Sequence, residues 1–291
     1  MWAWTVDRAV CFDLLDTFYR AGGRTVDTAT NYPIDQRAAH WRAAETLLRE
    51  WIAANGVTDL QVCVKVGSIN NLKTPDHLLT ESFLRMNLDR YQKDFGPNLH
   101  TLMLHWDNRP DPTASYPALR AVQDAGLRVG LSGLKFPAAH ARCCTEFGVE
   151  PILQTKYNLL HNGIAAYAVF GASARFMVYG INAGGLKLDG NYGANASYHA
   201  RGGTTEPTEL LHRLRNLREM ANHRRDRPPL RSFNDFALLW AVAHPQVEQV
   251  ILGTSRTEQL RESLERLARF QEMDYADVVA GLRSIRATLI K

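Results

Sequence analysis

Short apolar runs alternate along the chain with stretches in which apolar side chains recur at helical spacing. The runs Thr25–Val26, Gln61–Val66, Thr101–Leu104, Arg128–Leu131, Pro151–Gln154, Arg175–Tyr179 and Gln249–Leu252 predict strands. Between them, Trp41, Ala44, Leu48, Trp51 and Ile52 fall on one helical stripe. Leu79, Phe83, Leu84, Leu88 and Tyr91 form a second, announced by Pro75, and Leu260, Leu264 and Leu267 a third. Such alternation implies parallel strands joined by helical crossovers. Seven strands are readable, and Trp2–Trp4 offers a short eighth at the front. Eight strand–helix units in 291 residues predict an α/β fold, a single (β/α)8 TIM barrel over residues 1–291 with a shortened first strand. A doubly wound dinucleotide fold is disfavoured, since no GxGxxG follows the first strand. The glycine-rich stretch Asp189–Thr205 fits either a long surface loop or a mobile lid over a ligand.

Composition narrows the class. With 45% apolar and 22% charged residues the chain reads as globular. A net charge of +4 suits a groove that attracts an anion and is too mild to imply nucleic acid. The longest apolar stretches, Ile164–Ala174 and Phe236–Ala243, fall short of the ~18–20 residues that cross a bilayer. The start MWAWTVDRAV lacks the features of a signal peptide. Cys11, Cys63, Cys143 and Cys144 form no CxxC pair and read as buried free thiols, Cys143 and Cys144 in helix packing. The expectation is a cytoplasmic protein with no nucleic-acid or membrane partner; oligomeric state has no readable sign.

In a barrel, active sites occupy the face formed by the C-terminal strand ends. Three successive strands deliver Asp27, Lys65 and His105 to that rim, and Tyr32 follows in the loop after Asp27. Singly each has a plain alternative: Lys65 and Asp27 as a structural pair, His105 as a core histidine. Together they support proton transfer. A tyrosine hydroxyl, with an ordinary pKa of about 10, needs help to act near neutral pH. A nearby ammonium stabilises the phenolate, an aspartate keeps the ammonium charged and oriented, and a histidine directs a carbonyl oxygen by hydrogen bonding. Such a unit protonates the oxygen of a carbonyl as hydride arrives at its carbon, and hydride requires a nicotinamide cofactor.

At these residues the chain resembles the aldo-keto reductases over nearly its whole length. VDTATNYP, VKVGS and TLMLHWDN are similar to the family's aspartate–tyrosine, lysine and histidine segments. RVGLSGL, ILQTKYNLL, VYGINAGGL and LLWAVAHPQVEQVILGTSRTEQLRESL resemble its cofactor-binding strands and closing turn. The resemblance implies a (β/α)8 barrel that interconverts aldehydes or ketones and alcohols. Tyr32 would be the acid–base, Lys65 and Asp27 its tuning pair, and His105 the group orienting the carbonyl. Ser132 and Gln154 would bind the nicotinamide carboxamide, and Tyr179 would stack on the ring. Ser255 and Arg256 would take an adenosine 2′-phosphate at a helix N-terminus, with Gln259 and Glu262 on the adenosine. Arg256 makes NADP(H) the preferred cofactor, with NAD(H) as the alternative. The substrate would be a small-molecule carbonyl compound or alcohol.

Some positions depart from the family's pattern. Gly133 stands at an asparagine position, Pro33 at a glycine position and Ser263 at an adenine-facing asparagine, and the stretch before Trp2 is shorter than usual. His223–Arg227 reads as a solvated basic patch, and Trp106 as either a pocket wall or a core residue. Two other functions stay open at this stage. One is a cofactor-binding regulatory or redox-sensing subunit with little turnover. The other is a Schiff-base barrel lyase using Lys65, which leaves Asp27, Tyr32 and GTSRTEQL without a role.

Overall fold

The computed structural model describes residues 2–72, 74, 76–190, 192 and 207–289. Pro75 and most of Asp189–Thr205 lie outside the described residues. The strands are β1 (Thr25–Ala29), β2 (Gln61–Val66), β3 (Leu99–His105), β4 (Arg128–Ser132), β5 (Pro151–Asn158), β6 (His161–Asn162), β7 (Arg175–Tyr179) and β8 (Val247–Val250). They pair in the order β1-β2-β3-β4-β5-β7-β8, every neighbour parallel, while β6 makes a small antiparallel hairpin with the end of β5. The helices are α1 (Arg8–Arg20), α2 (Ala43–Asn55), α3 (Glu81–Phe95), α4 (Tyr116–Asp124), α5 (Pro137–Phe147), α6 (Thr208–Asn222), α7 (Phe233–Val242), α8 (Thr257–Glu272) and α9 (Ala276–Leu289). The fold is α/β, its parallel sheet curled in the manner of a (β/α)8 barrel.

Local chemistry sets the element ends. Asp7 caps α1 by accepting the Val10 N–H at 2.9 Å, and Thr80 caps α3. Ser232 and Asp235 form a reciprocal capping box at α7. Two predicted stripes lose their first member: Trp41 closes a turn before α2, and Leu79 precedes the α3 cap. The predicted helical faces turn inward, with Leu48, Trp51, Leu84, Leu88, Tyr91 and Leu260 all buried. Each such fully buried aliphatic side chain stabilises the fold by about 1.5–3 kcal/mol. All four cysteines are free and buried.

The concave face of the sheet explains where the polar groups sit. Cys63, Met103, Ile152 and Met177, from strands as far apart as β2 and β7, share one apolar cluster with Ile251 against it. Side chains alternate across a strand, so two residues further on the same face recurs. That next layer is Lys65, His105, Gln154 and Tyr179, joined by Ser132 two residues after Gly130. Gly130 makes the lower layer possible, since a Cβ there would lie 2.4 Å from Met103 Cε.

Trp2–Trp4 forms a turn and not an eighth strand. Ala3 has a φ of 56°, outside extended geometry, and its N–H bonds the Val6 carbonyl at 3.1 Å. Trp2 makes only an isolated bridge to Val6. Among the described residues no strand pairs with the outer edge of β1 or of β8. Behind that opening α1 packs against α8, so the helical layer continues where the strand layer does not.

Candidate active site

A cavity of about 710 Å³ opens at the C-terminal ends of the strands. Asp27, Tyr32, His105, Trp106, Ser132, Gln154 and Tyr179 line its chemical end, and Gln249–Thr254 lead from it towards α8. It also reaches down between β1 and β8 to Leu14, Phe18, Leu264 and Leu267. The volume is ordinary for a small-molecule site.

The four residues predicted for proton transfer converge. Asp27 lies inside β1, directly opposite Cys63 in the β1–β2 register, and the pairing continues to Ala29 opposite Lys65. Its side chain faces the interior, and its Oδ2 accepts from Lys65 Nζ in an ion pair with the lysine fully buried. Lys65 Nζ sits 4.8 Å from the Tyr32 ring centroid. The rings of Tyr32 and His105 meet edge to face at 5.9 Å. Tyr32 keeps one face open to the cavity, and the Tyr32–Pro33 peptide bond is cis.

Electrostatics set the protonation states. Burial pushes the Tyr32 hydroxyl above its ordinary pKa, and the Lys65 charge pulls it back only in part. The lysine effect anticipated from sequence is therefore present, but desolvation outweighs it. Burial works against the Lys65 ammonium too, yet Asp27 and then Tyr32 overcome it, so its pKa is raised. Burial, reinforced by Lys65, holds His105 well below the usual histidine range. At neutral pH the site thus holds a protonated phenol, a charged ammonium and a neutral imidazole. The buried His105 Nδ1 has no hydrogen-bond partner among the described residues.

Ser132 and Gln154 are opposite each other in the β4–β5 register, and the serine hydroxyl donates to Gln154 Oε1 at 3.0 Å. Tyr179, at the end of β7, is 38% exposed, an uncovered aromatic face above the sheet. Gly133 has a φ of 70°, and a Cβ there would lie 2.5 Å from Trp106 Cδ1. The Trp106 indole thus fills the space a side chain at 133 would need, and its ring lies 4.4 Å from that of His105. Trp106 is a cavity wall, with a left-handed φ of 57°.

Ser255, Arg256, Gln259 and Glu262 are not part of this cluster. They sit at the first turns of α8, beyond the Gly253–Thr254 end of the cavity. Ser255, Arg256 and Glu262 are exposed and Gln259 half-buried. The Arg256 guanidinium makes no hydrogen bond or ion pair with any described residue, while its carbonyl accepts the Leu260 N–H. Sequence reasoning passed over Gln249, a cavity-lining residue whose buried Oε1 has no hydrogen-bond partner among the described residues. Its signal was the period-two face it shares with Ile251.

The site residues suit a nicotinamide nucleotide. An uncovered tyrosine ring beside a serine–glutamine pair matches a flat ring carrying a carboxamide, and an unpaired arginine at a helix N-terminus matches a phosphate. The Lys65 ammonium does not suit a Schiff base, being fully buried, charged and paired. Among the described residues no helix is long and apolar enough to cross a membrane. No curated protein matches the chain. The model of the Aldo/keto reductase family matches residues 1–282.

Proposed function

The chain belongs to the aldo/keto reductase family, whose members are oxidoreductases acting on carbonyl compounds with NAD(P)H; on that premise we propose an NADP(H)-dependent enzyme interconverting an aldehyde or ketone and its alcohol, with Tyr32 as acid–base. The observation that carries this reading is the buried Lys65–Asp27 ion pair set beneath Tyr32, with His105 across the same cavity.

The chemistry the cofactor supplies when bound is hydride transfer at the carbonyl carbon. Ser132 and Gln154 would hold its carboxamide, Tyr179 its ring, Ser255 and Arg256 its 2′-phosphate, and Gln259 and Glu262 its adenosine. Tyr32, kept protonated by burial, gives its hydroxyl proton to the substrate oxygen as negative charge develops there. Lys65 stabilises the phenolate that remains, and Asp27 keeps Lys65 charged. A neutral His105 donates one N–H to the same oxygen and so aims it at Tyr32. In alcohol oxidation the proton runs back from the alcohol to the Tyr32 phenolate.

The test is Tyr32→Phe assayed against a panel of aldehydes and ketones with NADPH. Turnover should fall by about 10²-fold or more, the scale of a lost general acid, while NADPH still quenches protein fluorescence. Undiminished turnover would refute the assignment.

A further inference from the structure

The carboxylate of Asp27 is held from two sides of the sheet. Lys65, on the adjacent strand β2, donates to Oδ2. Gln154, on β5 across the concavity, donates from Nε2 to Oδ1 at 2.8 Å. β1 and β5 are not neighbours; β2, β3 and β4 stand between them in the sheet. Gln154 is 3% exposed and its amide has one possible orientation. Its Nε2 also donates to Met177 Sδ at 3.1 Å, and both a carboxylate and a thioether only accept. Its Oε1 takes the Ser132 hydroxyl. A single hydrogen-bonded line therefore runs Ser132–Gln154–Asp27–Lys65 and ends under Tyr32.

We propose that Gln154 is a positioning residue that locks the plane of the Asp27 carboxylate and, through it, aims the Lys65 ammonium at Tyr32. The proposal rests on the reading of Tyr32, Lys65 and Asp27 as the proton-transfer set. A lysine hangs on a flexible four-carbon stem, and one carboxylate held at one oxygen is free to turn about its own axis. A second donor on the other oxygen removes that rotation. Both Nε2 protons are then committed inside the protein, which leaves Gln154 only its acceptor oxygen to offer a ligand. Contact with a carboxamide and support of Asp27 are therefore separable tasks of one side chain.

The experiment compares the ligand-free protein with Gln154→Met and Ser132→Ala, each carrying biosynthetically incorporated fluorotyrosine to bring phenol ionisation into an accessible pH range. The Tyr32 fluorine resonance is assigned by its loss in Tyr32→Phe, and its titration is followed by NMR alongside equilibrium binding of NADPH. In Gln154→Met a loosened Asp27 lets Lys65 drift from the ring, and the Tyr32 ionisation constant should fall by about threefold or more. Ser132→Ala, which keeps the Gln154–Asp27 bond but frees the far end of the amide, should give a smaller shift of the same sign and keeps the test valid if Gln154→Met does not fold. An unmoved Tyr32 titration overturns the proposal, whether NADPH binding weakens, as for a mere ligand contact, or stays the same. These readings need no turnover, so they stand apart from the Tyr32→Phe rate test: if that fails, the proton-transfer reading falls while the titration still reports whether Gln154 steers Lys65.

Discussion

Removing one member of the Lys65–Asp27 pair should cost far more than removing both. The side chains are 1% and 11% exposed, so each ion has given up nearly all its water. Two unit charges about 4 Å apart attract by about 4 kcal/mol at an effective dielectric near 20. Desolvating each costs several kcal/mol, so the intact pair stands near balance and a lone survivor does not. Lys65→Met leaves Asp27 with Gln154 as its remaining donor among the described residues and should destabilise the fold by about 3–5 kcal/mol. Asp27→Asn leaves a fully buried ammonium, which escapes by losing its proton. The double replacement Lys65→Met, Asp27→Leu should recover most of the loss. Urea unfolding at neutral pH, followed by tryptophan fluorescence, gives the four stabilities. If the two single costs simply add, within about 0.5 kcal/mol, the reasoning fails.

The same pair fixes a pH signature. In the intact protein the folded pKa of Lys65 is raised, so its contribution is complete below the unfolded value of about 10.4 and is lost as pH climbs through the folded one. In Asp27→Asn the folded pKa falls below the unfolded value, and stability rises with pH up to about 10.4. The stability gap between the two proteins should therefore narrow steadily from neutral pH upwards.

Arg256→Ala should weaken NADPH binding by about tenfold or more, the loss of one charge-assisted contact, and leave NADH binding unchanged in fluorescence titration. Equal weakening of both nucleotides would remove the argument for the 2′-phosphate. Gly130→Ala brings a Cβ within 2.4–2.9 Å of three Met103 atoms, and should lower stability by about 1–3 kcal/mol, read from the urea midpoint. Asp107 is fully buried; burial would raise its pKa, but Arg109 and then His140 hold it well below the carboxylate range. Its stabilisation is present above an unfolded pKa of about 3.9 and lost as pH falls through the folded value. Asp107→Asn should thus lower stability at neutral pH and flatten its decline in acid; an unchanged acid slope would count against it.

Strand alternation made Lys65, His105 and Gln154 legible, because each lies two residues beyond an apolar neighbour on the same face of its strand. The helices around Trp51, Leu88 and Leu260 were legible for the same reason at period 3.6. What lay hidden depends on distance or on balance. The Gln154–Asp27 bond joins positions 127 apart in sequence and follows from the curl of the sheet, which no local pattern encodes. The net direction of the Tyr32 pKa needs burial weighed against charge, and spacing reports only the charge. Trp2–Trp4 has the apolar pattern of a strand, but the left-handed Ala3 between the tryptophans leaves no compositional mark. Gly133 looks like a lost contact until Trp106 is seen occupying its space.

The opening between β1 and β8 has a mechanical consequence. β1, which carries Asp27, is fastened to the sheet along one edge, like a cantilever. Outward flexing of this five-residue strand is resisted by the parallel bonds to β2 and by the Gln154 amide acting as a tie-rod across the bowl. The helical layer behind is closed by α1 packing against α8, so it has no free edge at this point. On warming, the Asp27 carboxylate should slacken before the body of the protein yields, and amide exchange should quicken in β1 ahead of β3 and β4.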